Sequence, residues 1–182
     1  MRTIAWIFFF LSPVSLAVGQ EKSSRGAEAQ PQFDGSNTLP NAGFELDENA
    51  DEQPDAWRSG DWKTGSKVAW DKEVAHSGKA SARIECASDE QRGSFSLRPA
   101  VGPGPWVFEA WYRTERMQAE AKKGPVARLI AVDDEGTQRA VLHAYGEPAD
   151  GQWQKVALSF ELPAGAKHIH LELFNFFAAG VV

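Results

Sequence analysis

Residues 106–113 read Trp-Val-Phe-Glu-Ala-Trp-Tyr-Arg, and this alternation is the strongest indication of the fold. Successive side chains of a β-strand point to opposite faces, so the stretch has one apolar face and one mixed face. The apolar face, which we expect in a core, consists of Trp106, Phe108, Ala110 and Tyr112. The mixed face consists of Val107, Glu109, Trp111 and Arg113.

The rest of the chain continues this pattern in short apolar runs separated by Gly, Pro, Asn and Asp. We predict further strands at 67–74, 79–87, 94–98, 126–133, 138–144, 152–162 and 168–176. Residues 133–136 are expected to form a hairpin turn, because Gly136 tolerates a positive φ. Residues 115–123 are the only stretch of this part of the sequence whose pattern is compatible with a short helix. The pattern predicts an all-β fold, an antiparallel β-sandwich.

The strand predicted at 168–176 has the same two kinds of face. Its aliphatic face, expected in the core, consists of Ile169, Leu171 and Leu173. Its other face consists of His168, His170, Glu172 and Phe174. Two strands therefore each offer aromatic and charged groups opposite their core side.

The N-terminal residues differ from the rest of the chain. Met1 and Arg2 precede an apolar run at 4–11, and small residues follow up to Gly19. This order is typical of a signal peptide, and the run is shorter than the ~20 residues of a membrane-spanning helix. We predict a signal peptide at 1–19 and a protein that is secreted, periplasmic or on the cell surface.

Residues 20–37 contain one aromatic residue and no aliphatic residue larger than Ala, so we predict a disordered linker there and a folded domain at 38–182. The formal charge is −6, without a concentrated basic stretch. Nucleic acid is therefore not an expected partner, nor is a membrane after signal cleavage. The single cysteine, Cys86, lies in an alternating stretch and is expected to be a buried core thiol.

Several motifs, in the same order along the chain, resemble those of carbohydrate-binding modules associated with cellulases and xylanases. Residues 41–45 (Asn-Ala-Gly-Phe-Glu) and 54–57 (Pro-Asp-Ala-Trp) resemble the N-terminal signature of that family. Residues 75–84 resemble its Ser-Gly-Lys loop and strand, and 106–113 and 152–156 resemble its tryptophan-containing strands. The resemblance implies a galactose-binding-like jelly roll that binds a polysaccharide or oligosaccharide without catalysis.

The resemblance also concerns the end of the sequence. In the resembled family a closing strand begins at the position of Gly180, Val181 and Val182. The sequence contains only the beginning of that strand, so we expect a C-terminally truncated chain whose last strand is missing. A missing strand leaves an unpaired sheet edge.

Sugar binding requires flat aromatic faces together with groups that hydrogen-bond to hydroxyls. Trp111 is the first candidate because it lies opposite the core side of its strand, and Trp62 and Trp70 lie in or beside the turn at 59–67. The alternative for each ring is a packing role, which we expect for Trp57, Trp106 and Trp153. The predicted ligand-binding residues are Glu109, Trp111, Arg113, Trp62, Trp70, Glu172 and Phe174.

The resemblance implies a structural Ca²⁺ as well. Glu45 would supply a carboxylate, and the backbone of Ser77 to Lys79 would supply carbonyl oxygens, which suit a hard cation. The aspartate that the family places in its final strand is absent here. The acidic residues 47–52 are expected to be a solvated loop.

Catalytic signatures are lacking in the sequence, and we predict that the protein is not an enzyme. A zinc site at His168, His170 and Glu172 is disfavoured, because alternate residues of a strand lie about 7 Å apart. Two alternatives stay open: a module that binds other exported proteins, and a small glycan hydrolase or lyase. The latter would need two carboxylates across the concave face, for example Glu109 and Glu172.

Overall fold

The computed structural model describes residues 7–13, 39–99, 101–102, 104–120 and 122–182. Those residues form twelve β-strands and no α-helix. The strands are β1 (Ile7–Pro13), β2 (Arg58–Gly60), β3 (Lys67–Asp71), β4 (Ser81–Cys86), β5 (Arg92–Leu97), β6 (Pro105–Tyr112), β7 (Glu115–Gln118), β8 (Gly124–Val132), β9 (Gln138–Tyr145), β10 (Gln154–Glu161), β11 (His168–Phe176) and β12 (Ala179–Val181).

The strands form two layers. One layer is a five-stranded antiparallel sheet in the order β2-β5-β11-β8-β9. The other contains a four-stranded sheet, β3-β4-β12-β7, and a three-stranded sheet, β1-β6-β10. Since β6 ends at Tyr112 and β7 begins at Glu115, these two sheets follow one another along the chain. The predicted antiparallel β-sandwich is confirmed.

Apolar side chains from both layers meet in one core. The predicted core faces of β6 and β11 are both buried there, and Phe108, Ile169 and Leu173 have no exposed surface. Burial of a large apolar side chain contributes about 1.5–3 kcal/mol, so these alternating positions supply much of the driving force for folding. Trp57 stacks on Phe44, with ring centroids 4.6 Å apart, which confirms its predicted packing role.

The predicted strands are all present, with ends that differ by a few residues. The predicted hairpin turn is confirmed as well: Gly136 has a φ of 80° and donates its N–H to the carbonyl of Asp133 at 3.1 Å. The helix considered at 115–123 was wrong, because β7 occupies part of that range. A distant partner, β12, pairs with β7 there, and this pairing overrides the local preference.

The two ends of the described chain both contain strands. β1 lies inside the predicted signal peptide and pairs with β6 in the uncleaved chain. The other residues of the predicted signal peptide at 1–19, and all of the predicted linker at 20–37, lie outside the described residues. At the other end β12 begins where the closing strand was expected, and Val182 exchanges two backbone hydrogen bonds of 2.8 Å with Ile84. No helix in the described ranges is long and apolar enough to cross a membrane.

Candidate ligand-binding face

The outer surface of the five-stranded sheet carries a group of cationic and aromatic side chains. Strand register places Glu172 of β11 between Ser96 of β5 and Arg128 of β8. His143 of β9 lies beyond Arg128 in the same row. We call this surface the arginine face and define it by Arg58, Trp62, Arg92, Arg98, Arg128 and His170.

A buried ion pair lies at its centre. Glu172 is 3% exposed, and Arg128 donates from Nε and Nη2 to its Oε2. The Nε2 atom of His170 lies 3.9 Å from Oε1 of the same carboxylate. A buried charge is tolerated when it is paired and hydrogen-bonded in this way. Glu172 was predicted to contact ligand, but here it orients the Arg128 guanidinium from below.

Phe174 is the second predicted residue that the structure buries. It is 2% exposed, and its ring centroid lies 4.6 Å from Cζ of Arg128 and 5.8 Å from the ring of Trp62. Its apolar surface is already in contact with these neighbours. Phe174 therefore supports the ring and the guanidinium above it instead of stacking on a ligand.

Trp62 is the exposed ring of the arginine face. It is 41% exposed, and its indole Nε1 donates to Oγ of Ser94 at 3.0 Å. The Cζ atom of Arg92 lies 4.5 Å from the indole centroid, and that of Arg128 lies 5.9 Å away. A cation at such a distance is attracted to the ring electrons, so the indole is fixed from several sides.

The turn that carries Trp62 is itself fixed to β5. Trp62 and Lys63 have φ values of 53° and 58°, and Thr64 donates its N–H to the carbonyl of Asp61 at 3.0 Å. Non-glycine residues in this region of φ cost energy and persist only when their surroundings hold them. Here Arg92 donates its backbone N–H to Oγ1 of Thr64 at 3.0 Å, and that hydroxyl lies 3.0 Å from the Arg92 carbonyl.

Two clefts lie along the same face, and Trp62 lines neither of them. One, of about 590 Å³, is lined by residues that include Arg98, Ile130 and His170. The other, of about 340 Å³, is lined by residues that include Arg58, Ser96, Arg98 and His170. Because they share Arg98 and His170, the two clefts form neighbouring parts of one depression along the arginine face.

Two histidines lie in this cationic environment. Burial lowers the pKa of His170; Glu172 opposes this, while Arg98, Arg128 and Arg58 lower it further. Burial and then the charge of Arg128 lower the pKa of His143, and Glu172 again opposes them. Both imidazoles are therefore neutral at pH 7 and offer a donor and an acceptor each.

The mixed face of β6 lies on the other side of the sandwich. Here His76 stacks on Trp111, with ring centroids 4.5 Å apart and an interplanar angle of 12°. Lys155 donates to Oε1 of Glu109 at 2.7 Å. We call this surface the Trp111 face and define it by His76, Glu109, Trp111, Trp153 and Lys155.

The expectation that the mixed faces of β6 and β11 form one site was therefore wrong. β6 and β11 belong to different layers, and each turns its apolar side toward the other, so their mixed sides point apart. Glu109 consequently cannot pair with Glu172 across a cleft. Arg113 is also separate from the arginine face, since its Nη2 lies 3.8 Å from Oε1 of Glu115.

Trp70, another predicted ligand residue, lies on β3 in the second layer. Its indole Nε1 donates to the carbonyl of Phe44 at 2.7 Å, and Nζ of Lys72 lies 3.9 Å from its ring centroid. The ring packs against the core, so it does not join Trp62. Trp106 is buried, as predicted, and Trp153 makes an edge contact with His76 at 5.2 Å.

The residues of the implied calcium site do come together. The N–H of Lys79 donates to both carboxylate oxygens of Glu45, at 2.9 and 3.0 Å, and Ala80 donates to one of them at 3.3 Å. In these contacts the loop therefore offers backbone N–H groups to the Glu45 carboxylate, and not carbonyl oxygens. Calcium stays a prediction.

Other acidic and histidine groups also use their side chains locally. In the acidic loop, Asp47 accepts backbone N–H groups from Asp51 and Glu52 at 3.1 and 3.2 Å. The Nε2 atom of His168 lies 3.6 Å from Oδ1 of Asp134. Across the described part of the chain, no group of three or more His, Cys, Asp or Glu side chains is placed to hold a metal ion.

The sequence interpretation missed the arginines of this face. Arg128 does show a signal, because it alternates with the buried residues Ala127 and Leu129 on a strand. Arg58 lies in the three-residue strand β2, which is too short to recognise by alternation. Arg98 ends the predicted strand at 94–98 and Arg92 precedes it, and only the sheet order brings them beside β11.

Comparison with known proteins supports the fold. No family model and no curated protein matches the chain. Among solved structures it is similar to the enzymatically active domain of tailspike protein 4 from bacteriophage CBA120, with a TM-score of 0.59 and 14% identity over 79% of this chain. The match spans only 20% of the tailspike chain, and at this identity it shows the fold alone.

Two carbohydrate-binding modules show weaker similarity. One is the CBM22-2 xylan-binding domain of Xyn10C from Paenibacillus barcinonensis, with a TM-score of 0.47 and 13% identity over 76% of this chain and 94% of that domain. The other is a family 16 carbohydrate-binding module, with a TM-score of 0.48 and 13% identity over 70% of this chain and 85% of that module. Both likenesses are too distant to support an argument.

Proposed function

We propose that the protein is a non-catalytic module that binds a polysaccharide or oligosaccharide on its arginine face. The observation that carries this proposal is Trp62, an exposed ring fixed on a sheet surface and surrounded by guanidinium groups. Sugar rings present CH groups on one side and hydroxyls at their edges. An aromatic face and side-chain hydrogen-bond donors are the complementary partners.

The stacking role rests on which part of Trp62 is accessible. Its only polar atom already donates to Ser94, so ligand stacking would not leave a buried N–H without a partner. The turn at 61–64 is held by Thr64 before any ligand arrives. Binding therefore costs little ordering of the ring, which favours affinity.

The hydrogen-bonding role rests on the depression on the same sheet face as the ring. Arg58, Ser96, Arg98 and His170 line it, and they supply guanidinium, hydroxyl and imidazole groups. These groups suit the hydroxyls of a sugar. A cleft of about 590 Å³ lies in the range of a few hundred to a thousand Å³ that small-ligand sites occupy.

Binding without catalysis is supported by the state of the carboxylates. Glycoside hydrolysis uses two carboxyl groups about 5–9 Å apart on either side of the bond that breaks. Here Glu172 is buried under Arg128, and Glu109 lies on the opposite side of the sandwich. Neither of these two carboxylates is positioned to act on a ligand at Trp62.

A matched pair of substitutions tests the proposal. Trp62→Ala should weaken binding to a retained polysaccharide about 10- to 100-fold, which corresponds to roughly 1.4–2.8 kcal/mol. Trp111→Ala, on the other side of the sandwich, should leave the affinity unchanged. Affinity electrophoresis against a panel of neutral and acidic polysaccharides measures both, with circular dichroism to show that each variant is folded.

The outcomes separate the alternatives. Folded wild-type protein that binds no glycan of the panel would contradict the proposal and favour a protein partner. Loss of binding in Trp111→Ala alone would move the site to the Trp111 face. Release of reducing ends or unsaturated sugars during the assay would show a hydrolase or lyase instead of a binding module.

We further propose that the protein is exported, on the basis of its N-terminal sequence. The expected cleavage lies before Gln20. N-terminal sequencing of protein recovered from outside the cytoplasm would then begin at Gln20. A first residue of Met1 in that fraction would contradict cleavage.

A further inference from the structure

We infer that the glycan bound at the arginine face is acidic, with carboxylate groups on its sugars. The inference rests on the proposed function and specifies its ligand. It is argued from the pairing state of the arginines, from their position around the clefts and from the geometry of the guanidinium group.

Three of the four arginines that define this face make no ion pair to a carboxylate in the described residues. Ion pairs to carboxylates are made by Lys67, Arg83, Arg113, Lys123, Arg128, Arg139 and Lys155. Within the described ranges, Arg58, Arg92 and Arg98 have no carboxylate oxygen within 4.0 Å, although the chain has more acidic than basic residues and a formal charge of −6. Some cationic residues elsewhere in the described ranges also lack an ion pair, namely Lys63, Lys72, Lys79, Arg116, Lys122 and Lys167. What distinguishes Arg58, Arg92 and Arg98 is that the strand register places three guanidinium groups on one face of one sheet.

These three groups are arranged around the depression and its ring. Arg58 and Arg98 line the smaller cleft together with His170, and Arg98 continues into the larger one. Arg92 lies against Trp62, at the other end. Because Arg58, Arg98 and His170 line the same cleft of about 340 Å³, one bound group there can contact both guanidinium groups.

The carboxylates near this face have other partners in the described residues. Asp133 and Asp134 line the far end of the larger cleft. Asp133 pairs there with Arg139, and Asp134 lies beside His168. Glu172 pairs with Arg128 and neutralises it.

The remaining guanidiniums repel one another, and a neutral sugar would leave that repulsion unchanged. A carboxylate can accept two parallel hydrogen bonds from a single guanidinium, a geometry that lysine cannot offer. A carboxylate-bearing sugar would thus supply the charge and the shape that the face lacks.

A nucleic acid also combines anionic groups with flat rings. The formal charge of −6 opposes the approach of any polyanion, so the position of the anionic groups has to separate the two ligands. In a polyuronate each sugar ring carries a carboxylate, so one ring can stack on Trp62 while carboxylates of other rings in the same polymer reach Arg58 or Arg98. The face therefore favours an acidic glycan, and nucleic acid binding is one outcome of the test.

The test uses the full chain and a pair of polymers that share one backbone. Polygalacturonate carries the carboxylates, and its carboxyl-reduced form is neutral. We expect polygalacturonate to bind at least about tenfold more tightly, with the difference shrinking at high salt. The double variant Arg58→Gln/Arg98→Gln should lose at least about tenfold more affinity for polygalacturonate than for the reduced polymer, because only the former loses charge-assisted hydrogen bonds.

A control variant separates local contacts from total charge. Lys67→Gln/Lys155→Gln makes the same change in net charge on the second layer, and it should bind polygalacturonate like the wild type. Equal loss in both double variants would overturn the inference. Equal binding of the two polymers would overturn it as well. So would tighter binding of single-stranded DNA, or of a sulfated polysaccharide without carboxylates, than of polygalacturonate.

The same binding measurements also separate this inference from the proposed function. Binding to the reduced polymer or to xylan, weakened by Trp62→Ala, with no preference for polygalacturonate, would overturn the acidic ligand and leave glycan binding intact. Absence of binding to every polymer by folded protein would overturn both.

Discussion

The arginine face and the Trp111 face are similar in sequence and different in structure. Each places a tryptophan near acidic and basic groups on the outer side of a sheet. On the Trp111 face, His76 covers one side of the indole and Lys155 neutralises Glu109. On the arginine face, Trp62 is exposed and the arginines around its clefts have no acidic partner in the described residues. The same composition thus produces a packed surface in one place and an open one in the other.

The loops next to each ring explain the difference. Glu45 accepts the backbone N–H of Lys79, and a Cβ at Gly78 would lie 2.1 Å from its Oε1, so the loop at 75–79 is held tightly. That arrangement keeps His76 over Trp111. The turn at 61–64 is fixed to β5 by Thr64 instead, with Trp62 above the sheet. Loop attachment therefore decides whether a tryptophan packs or stays accessible.

The largest expected effect comes from the ion pairs. Arg128→Met should destabilise the protein by about 3–5 kcal/mol, because Glu172 would stay buried without a partner. Its counterpart on the Trp111 face, Lys155→Met, should cost about 0–1 kcal/mol, since that pair is partly solvent-exposed. Urea unfolding measures both. Similar costs for the two variants would show that the faces do not differ in this respect.

The next effect concerns the tryptophans. Trp111→Ala should destabilise the fold by about 1–3 kcal/mol, less than the full cost for a completely buried ring, because Trp111 is half-buried. Trp62→Ala should cost less than about 1 kcal/mol, because its ring is more exposed and its turn is held by Thr64. Thermal unfolding compares them. The reverse order would mean that Trp62 is a structural residue, and the proposed function would lose its main support.

A smaller effect is expected at the loop that holds His76. Glu45→Ala removes the acceptor of the Lys79 N–H and should cost about 1 kcal/mol. The calcium prediction adds that Ca²⁺ raises the melting temperature of the wild type and not that of the variant. Equal melting temperatures of the wild type with Ca²⁺ and with a chelator would contradict the calcium prediction without affecting the hydrogen bond.

The smallest effect is a dependence of stability on pH. The pKa of His170 lies below its ordinary value of 6.5 in the folded protein. The unfolded chain therefore binds more protons as the pH falls below 6.5, and the free energy of unfolding decreases until the pH passes the folded value. His170→Gln should flatten this part of the profile, measured by urea unfolding between pH 7 and pH 5. An unchanged profile would show that His170 is not the group responsible.

The sequence interpretation succeeded where a property depends on neighbours along the chain. Alternation identified the buried faces of β6 and β11, and it placed Cys86 inside, where it is 3% exposed and burial raises its pKa to about 12. It did not succeed for the candidate site. Glu172 and Arg128 are 44 residues apart in sequence, and Trp62 and Ser94 are 32 apart. No local pattern relates such pairs.

The sequence by itself determined the class of fold and the inward side of its main strands, because side-chain alternation has a period of two and burial of apolar groups follows it. Only the tertiary structure decided that β6 and β11 lie in different layers, so that Trp111 and Glu172 point apart. It also decided which charges are neutralised, since the partner of each arginine is set by the strand order. The arginine face exists because that order brings β2, β5, β8 and β11 together with four arginines, of which only Arg128 is paired with a carboxylate in the described residues.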